Sequence, residues 1–272
     1  MLQSKYRASQ AVKKVSAKSP MSRTDRDWER MAQRDPYYAV ITDPRYRQTV
    51  IDNEARQAFF ESGRTHVARL FSIIESEWDI PFRPGRTLDF GCGVGRTLIP
   101  LAERSGEVVG FDVAPSMLAH AREVCASRAN ITLVGGSILD IPGQFDLIHA
   151  WLVFQHVPVR DGESFTRDLL ARLSDNGVAV LHYTYARRAS WLRRWGYRLR
   201  VAVPPIHSLL NVAAGRSFDD PLMQANCYDL NRLYSIIQAS GCGELLVRFT
   251  DHQGLGYLGV AIICRKRSPE SL

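Results

Sequence analysis

Several things are scarce in this sequence, and each scarcity removes a class of protein. No apolar run comes near the ~18 residues that a helix needs to cross a bilayer, and the N-terminus has no apolar core of the kind a secretory signal carries. The chain is therefore expected in the cytoplasm. Cysteine is sparse: there are five, Cys92, Cys125, Cys227, Cys242 and Cys264, an odd number, widely scattered, with no CxxC pair and no Cys/His spacing suited to zinc. They read as reduced thiols. Internal repeats and low-complexity segments are missing as well. No acid precedes Asp25, and Lys5, Arg7, Lys13, Lys14, Lys18 and Arg23 stand there among few apolar residues. Residues 1–23 are expected to be a disordered basic tail, with a binding arm as the alternative.

What is present is ordinary for a globular protein. The 272 residues are 45% hydrophobic and 23% charged, enough for one large α/β domain with decoration. A net charge of +7 favours an anionic partner, whether nucleic acid, phospholipid surface or phosphorylated substrate.

Beyond the tail, Thr24-Asp25-Arg26-Asp27 can cap a short helix carrying Trp28 and Met31, which Pro36 stops. Helical spacing of Phe59, Phe60, Val67, Leu70, Phe71 and Ile74 predicts a longer helix from about Asn53 to Trp78. Pro81, Pro84 and Gly85 close this helical N-terminal cap, residues 24–84, and place the edge of a catalytic core at 85–272. Strands are expected at Thr87–Phe90, Val108–Phe111, Ile131–Val134, Phe145–Ala150 and Val178–Tyr183, with helices near Arg96–Arg104, Ser116–Ser127 and Ser164–Leu173 between most of them. That alternation specifies right-handed βαβ units and a parallel sheet with helices on both faces. Glu244–Thr250 and Tyr257–Lys266 are spaced as a hairpin, so the seventh and last strand runs antiparallel. The expected class is α/β, Rossmann-like, seven-stranded and mostly parallel, with helical caps.

The densest chemical signal is the turn Asp89-Phe90-Gly91-Cys92-Gly93-Val94-Gly95, which follows the first strand. Glycines at 91, 93 and 95 allow unusual dihedrals and a close approach of ligand to backbone. A dinucleotide fingerprint beginning at Gly91 requires glycine or alanine where Arg96 stands, and the Asp89 carboxylate would repel a pyrophosphate. Roughly twenty residues on, Asp112 ends the second strand, where an acid can accept both hydroxyls of a ribose. Met117 follows on the next helix, where a thioether can lie on adenine or simply fill the core.

These residues resemble the class I S-adenosylmethionine (SAM)-dependent methyltransferase family over residues 86 to 186, more weakly to 266. The resemblance implies SAM as cofactor, with Asp89, Gly91, Gly93 and Gly95 as its first motif and Asp112 as its ribose acid. An acid usually binds the adenine amino group after the third strand in that family. Here Ser137 replaces it, followed by Ile138, which can cover the ring; a hydroxyl still accepts that hydrogen bond without the help of a charge. The fourth strand runs into Trp151, Phe154 and His156, resembling the fourth motif, with Trp151 able to face the sulfonium.

In an open parallel sheet the ligand lies beyond the carboxyl ends of the strands, so catalytic groups belong there. A hydroxyl acceptor must lose its proton, and histidine titrates near working pH. His156 after strand four, His182 at the end of strand five and His252 in the last hairpin are the candidates. No acid cluster of the magnesium-binding kind follows strand four, so no metal is expected.

Between strands five and six lie about sixty residues, longer than a crossover helix needs and hence a substrate-cap insertion at about 187–240. Its first part, Arg187–Arg200, interleaves arginine with aromatic and aliphatic residues. Such a stretch suits peripheral contact with an anionic membrane, at its inner face, or a lid over the acceptor. RNA contact also fits arginine with aromatics, but no RNA-binding module is recognisable and nucleic acid is disfavoured as partner. Trp28, Asp35-Pro36-Tyr37-Tyr38 and Met223–Leu230 look like variable acceptor caps. The pattern resembles bacterial methyltransferases of cell-surface glycan or natural-product pathways. It implies O-methylation of a sugar hydroxyl on a glycan or lipid-linked saccharide; a small-molecule N- or O-methyltransferase, an RNA methyltransferase and a SAM-binding protein without catalysis are the alternatives. Oligomeric state is not legible.

Overall fold

The computed structural model describes residues 22–188, 195, 196, 199, 203–213, 218, 225–252 and 256–267. Residues 1–21 of the expected tail and most of Arg187–Arg200 lie outside the described residues. Three helical segments come first: α1 (Arg23–Arg34), α2 (Pro36–Val40) and α3 (Asn53–Trp78). The N-cap of α1 is Ser22 and not Thr24, because Ser22 and Asp25 form a reciprocal capping box, so Ser22 and Arg23, expected in the tail, belong to the first helix and its cap. Asp52 caps α3, and Asp79 ends it in the left-handed conformation.

The core then alternates β1 (Arg86–Phe90), α4 (Leu98–Ala102), β2 (Glu107–Phe111), α5 (Pro115–Val124), β3 (Ile131–Val134), β4 (Phe145–Ala150), α6 (Val159–Ala171) and β5 (Leu173–Arg187). The insertion contributes α7 (Pro204–Ala213) and α8 (Leu230–Ala239), and the chain closes with β6 (Cys242–His252) and β7 (Tyr257–Lys266). Helix α4 is shorter than the expected Arg96–Arg104 because residues 91–97 are spent on the turn. Strand β5 is longer than the expected Val178–Tyr183, because β7 pairs with it as far as Arg187.

Seven strands form one sheet in the order β3-β2-β1-β4-β5-β7-β6, with β1 to β5 parallel and β7 antiparallel to both its neighbours. Side chains alternate across it. Leu88, Phe90, Ile148, Ala150, Leu181 and Tyr183 pack with α6 and α8, whereas Leu147, Val178 and Val180 pack with α3, α4 and α5. The same alternation turns Asp89, His149 and His182, each lying between residues of the first set, toward the α3 face. A third cluster, including Met31, Tyr37, Tyr46 and Phe59, joins the N-terminal helices to Val94, Ala114 and Met117 of the core.

Candidate functional site

The turn after β1 is built by hydrogen bonds that pull the chain sideways. The N–H groups of Gly91 and Cys92 both donate to the Phe111 carbonyl, at 2.7 and 3.0 Å, which folds the end of β1 onto the end of β2. Gly91 and Gly93 take φ of 76° and 54°, the left-handed region that glycine enters without strain. Crowding adds a second reason at Gly91, where a Cβ would lie 2.4 Å from Val153 Cγ2. Asp112 meets the turn from β2. One carboxylate oxygen accepts the Gly93 N–H and the other the Ala114 N–H, each at 2.9 Å. Each oxygen keeps a further lone pair, the complement of two adjacent hydroxyls. Burial raises the Asp112 carboxyl to about 6, against the pull of those two N–H donors.

Asp89 is placed differently from Asp112. It is buried, with Oδ2 accepting the Thr97 hydroxyl and Oδ1 facing His149 Nδ1, both at 2.7 Å. Asp89 and His149 are register partners across β1 and β4, so the contact is a cross-strand pair. The chain of contacts continues: His149 Nε2 lies 3.0 Å from His66 Nε2 on α3. A carboxylate can only accept here, so His149 carries a hydrogen on Nδ1, and a single hydrogen lies between the two Nε2 atoms. With a neutral His149, His66 is the donor of that hydrogen and keeps a lone pair on Nδ1. Burial, with His149 and Arg96 adding to it, pushes His66 down to about 2, so it is neutral. Nδ1 of His66 has no hydrogen-bond partner among the described residues.

Beside this relay stands Trp151, just past β4. Its ring is 4.3 Å from that of His66 and 4.6 Å from that of His182. His182 is buried, with Nε2 2.8 Å from the Thr250 hydroxyl of β6. The α3 side of the carboxyl edge thus brings together Trp151, His182, His149 and His66. His156 belongs to another group, edge-on to Trp28 of α1 at 4.6 Å between centroids, with Nε2 2.9 Å from Gln155 Nε2. His252 ends β6, paired in register with Tyr257, and its side chain lies outside the described residues.

After β3, Ser137 is exposed, and its hydroxyl accepts the Leu139 N–H at the start of a 3-10 turn, Ile138–Asp140, whose Ile138 is buried. Met117 is buried with Met31, Tyr37 and Val94, a packing position. Gly95, at φ 88°, donates to the Cys92 carbonyl.

The N-terminal helices arch over this edge. Glu29 of α1 accepts from both the N–H and the hydroxyl of Ser116, at 3.1 and 2.5 Å, and so caps α5 from outside. A Cβ at Gly93 would lie 2.9 Å from Val40 of α2. Helix α3 is seated on the turn itself, since a Cβ at Gly63 would come within 2.2 Å of the Arg96 carbonyl oxygen. Sequence reasoning missed His66 and His149. The signal was there, in a single histidine on the apolar run of β4 level with Asp89, and another on the buried stripe of α3.

A family profile described as a methyltransferase domain matches residues 87–177, the span from the glycine turn to the start of β5. The chain carries a class I SAM-dependent methyltransferase domain. Among curated proteins, ajmaline N-methyltransferase of Rauvolfia serpentina is 26% identical over 113 residues, covering 39% of this chain and 38% of that protein. The chain thus spans under two fifths of this relative's length. Two solved structures share the methyltransferase fold. The N-methyltransferase NodS of Bradyrhizobium japonicum WM9 in complex with S-adenosylhomocysteine has a TM-score of 0.58 and 16% identity, over 91% of this chain and all 100% of that one. Magnesium protoporphyrin IX methyltransferase of Synechocystis PCC 6803 with bound SAM has a TM-score of 0.55 and 16% identity, over 91% and 99%. No helix among the described residues is long and apolar enough to cross a membrane.

Proposed function

We propose that this chain is an active SAM-dependent methyltransferase whose acceptor is a hydroxyl on a sugar, carried on a glycan or a lipid-linked saccharide. SAM, when bound, supplies an electrophilic methyl group on a sulfonium. Asp112 takes the ribose hydroxyls, the backbone at Gly91, Gly93 and Gly95 receives the methionyl end, and Ser137 and Ile138 receive the adenine. Met117 backs the start of α5 from beneath. Asp89 acts through the turn, which it holds by Thr97, and not by touching the donor.

The observation that carries the acceptor reading is the neutral histidine edge beside Trp151. His66 Nδ1 is a hydrogen-bond acceptor fixed by its relay to Asp89, and it suits an O–H donor. A group held down to about 2 does not keep a proton; it would orient the hydroxyl so that an oxygen lone pair faces the methyl group. As the O–CH3 bond forms and the S–CH3 bond breaks, the hydroxyl proton would pass to water while the sulfonium leaves as a neutral thioether. Trp151 offers a flat face for a sugar ring, and His182 a second ring beside it. His156, under Trp28, belongs to the far wall of the same edge. Peripheral contact through the basic Arg187–Arg200 stretch brings the protein to an anionic membrane, where lipid-linked saccharides are found.

Incubation with methyl-labelled SAM and an extract of lipid-linked saccharides is expected to label a sugar. Label appearing only in amines would favour a second reading, N-methylation of a small molecule, which the names of two similar proteins support: ajmaline N-methyltransferase and NodS N-methyltransferase. Calorimetry showing SAM binding without transfer to any acceptor would leave a non-catalytic binder.

A further inference from the structure

Strand β6 stands at one end of the sheet, and among the described residues no strand pairs on its far side. Its ladder with β7 runs unbroken from Glu244 to His252, after a bulge at Gly243. Such an edge presents unpaired backbone groups to any further strand, and proteins commonly blunt it with proline or lysine. Neither residue occurs in Glu244-Leu245-Leu246-Val247-Arg248-Phe249-Thr250, and the bulge bends only the start of the strand. By the alternation of a strand, Leu245, Val247 and Phe249 share one face and Glu244, Leu246 and Arg248 the other. Leu245 and Phe249 are 43% and 73% exposed. Glu244 has a long ion pair, 3.9 Å to Arg265, and its Oε2 takes no hydrogen bond among the described residues. Arg248 is exposed and makes no ion pair among the described residues.

The order of these charges identifies the occupant. A second β6 laid antiparallel about a two-fold axis at Leu246 sets Glu244 of each chain opposite Arg248 of the other, and Leu245 opposite Val247. Directly opposed residues share a face, so the opposite charges meet on one side of the ribbon and the aliphatic pairs on the other. Phe249 comes diagonal to Leu245 of the second copy, within reach of an aromatic ring. Other registers do worse. An axis at Val247 sets Arg248 opposite Leu246 and Glu244 opposite Thr250, leaving both charges unmet. An axis at Leu245 drives the pairing into the bulge, and a slip of one residue turns the apolar faces away from each other. A strand from another protein would have to carry the same symmetric order of charges, which a second copy supplies by construction. We propose that β6 pairs with β6 of a second copy about Leu246, joining two seven-stranded sheets edge to edge in a closed two-fold dimer. Strands β1 and β2, which carry the glycine turn and Asp112, are separated from this edge by β4, β5 and β7, so pairing there leaves their crevice open. Pairing over residues 244–248 buries less surface than a standard interface, so the dimer is expected to be weak and concentration-dependent.

The test is sedimentation of the full chain across a concentration series up to about millimolar. It is run on the native chain, on Glu244→Arg, on Arg248→Glu, on the two changes in one chain, and on an equal mixture of the two single variants. The native chain is expected to dimerise. Each single variant sets like charges opposite one another at both ends of the ribbon and should weaken association about tenfold or more. The double variant should recover it, and the mixture should form a heterodimer, because a chain with two arginines then meets a chain with two glutamates. Leu245→Lys, at an exposed position, should also give a monomer, which keeps the proposal open to refutation if Glu244→Arg fails to fold. Native affinity for SAM shows that each variant is folded. A native chain that stays monomeric throughout, a dimer that charge reversal leaves intact, or single variants that neither the double change nor mixing rescues would each overturn the proposal. None of these measurements depends on the identity of the acceptor.

Discussion

Asp112 is the residue at which a small change should be most informative. Its two oxygens accept N–H groups from Gly93 and Ala114 and, in the proposed complex, two ribose hydroxyls. Asp112→Asn keeps the shape but replaces one acceptor with an NH2 group, which then faces a backbone donor or a hydroxyl without a lone pair to offer. Hydrogen bonds to a charged group contribute roughly 1.5–3 kcal/mol each, so losing two should raise the Kd for SAM by about 10² to 10⁴. Protonation should do the same more gently. With the carboxyl at about 6, binding that needs the ionised form weakens about tenfold between pH 8 and pH 5, about twofold of it above pH 6 and the rest below. The empty protein responds with its own sign. A carboxyl raised from 3.8 to about 6 favours the fold when protonated, so this contribution is fully present below 3.8 and is lost as pH rises through about 6. The loss amounts to ~3 kcal/mol at most. Isothermal calorimetry across pH 5 to 8, with circular dichroism to confirm folding, measures both. Any pH dependence that persists in Asp112→Asn belongs to the ligand's own amino group. A native-like Kd in that variant, or a wild-type Kd independent of pH, would refute the ribose assignment.

Four further substitutions examine the rest of the site. His149→Ala strands the buried Asp89 carboxylate and should cost ~3–5 kcal/mol in chemical denaturation, against ~1 kcal/mol for His66→Ala, whose larger effect should be on the methyl-transfer rate; near-equal costs would mean that His149 does not satisfy the buried Asp89 carboxylate. Gly63→Ala sets a Cβ 2.2 Å from a backbone carbonyl that has little room to retreat. A loss of ~1–3 kcal/mol with weaker SAM binding is expected, and an unchanged melting temperature would show that α3 is not seated on the turn. Glu29→Ala removes the outside cap of α5 and should cost ~1 kcal/mol while speeding SAM dissociation in stopped flow; an unaltered off-rate would release α1 from any part in retention.

Local chemistry was easy to read and long-range pairing was not. Ile131–Val134, Phe145–Ala150 and Tyr257–Lys266 match β3, β4 and β7 residue for residue, because bounded apolar runs in a sheet covered on both faces have few other interpretations. The cradle from Gly91 to Asp112 was legible for a similar reason, since a turn, a strand and an acid within two dozen residues constrain one another. The relay was hidden because its members are far apart in the chain: His66 and His149 are separated by 83 positions, and only the seating of α3 brings them together. Where β5 ends depends in the same way on a partner strand some seventy residues later, since Arg187 pairs with Tyr257. The cap of α1 was missed by two residues, since a serine two positions before a threonine leaves the choice to the carboxylate that answers it.

Helix α1 is fastened at two points of unlike chemistry, a carboxylate on Ser116 at one side of the edge and an indole against His156 at the other. Anything that enters or leaves the crevice between α5 and the end of β4 has to contend with a strap held by a polar buckle and an aromatic one. Removing the carboxylate would loosen the first and leave the second untouched. The pace at which spent cofactor is exchanged can therefore be tuned from α1 without altering any group that meets the acceptor.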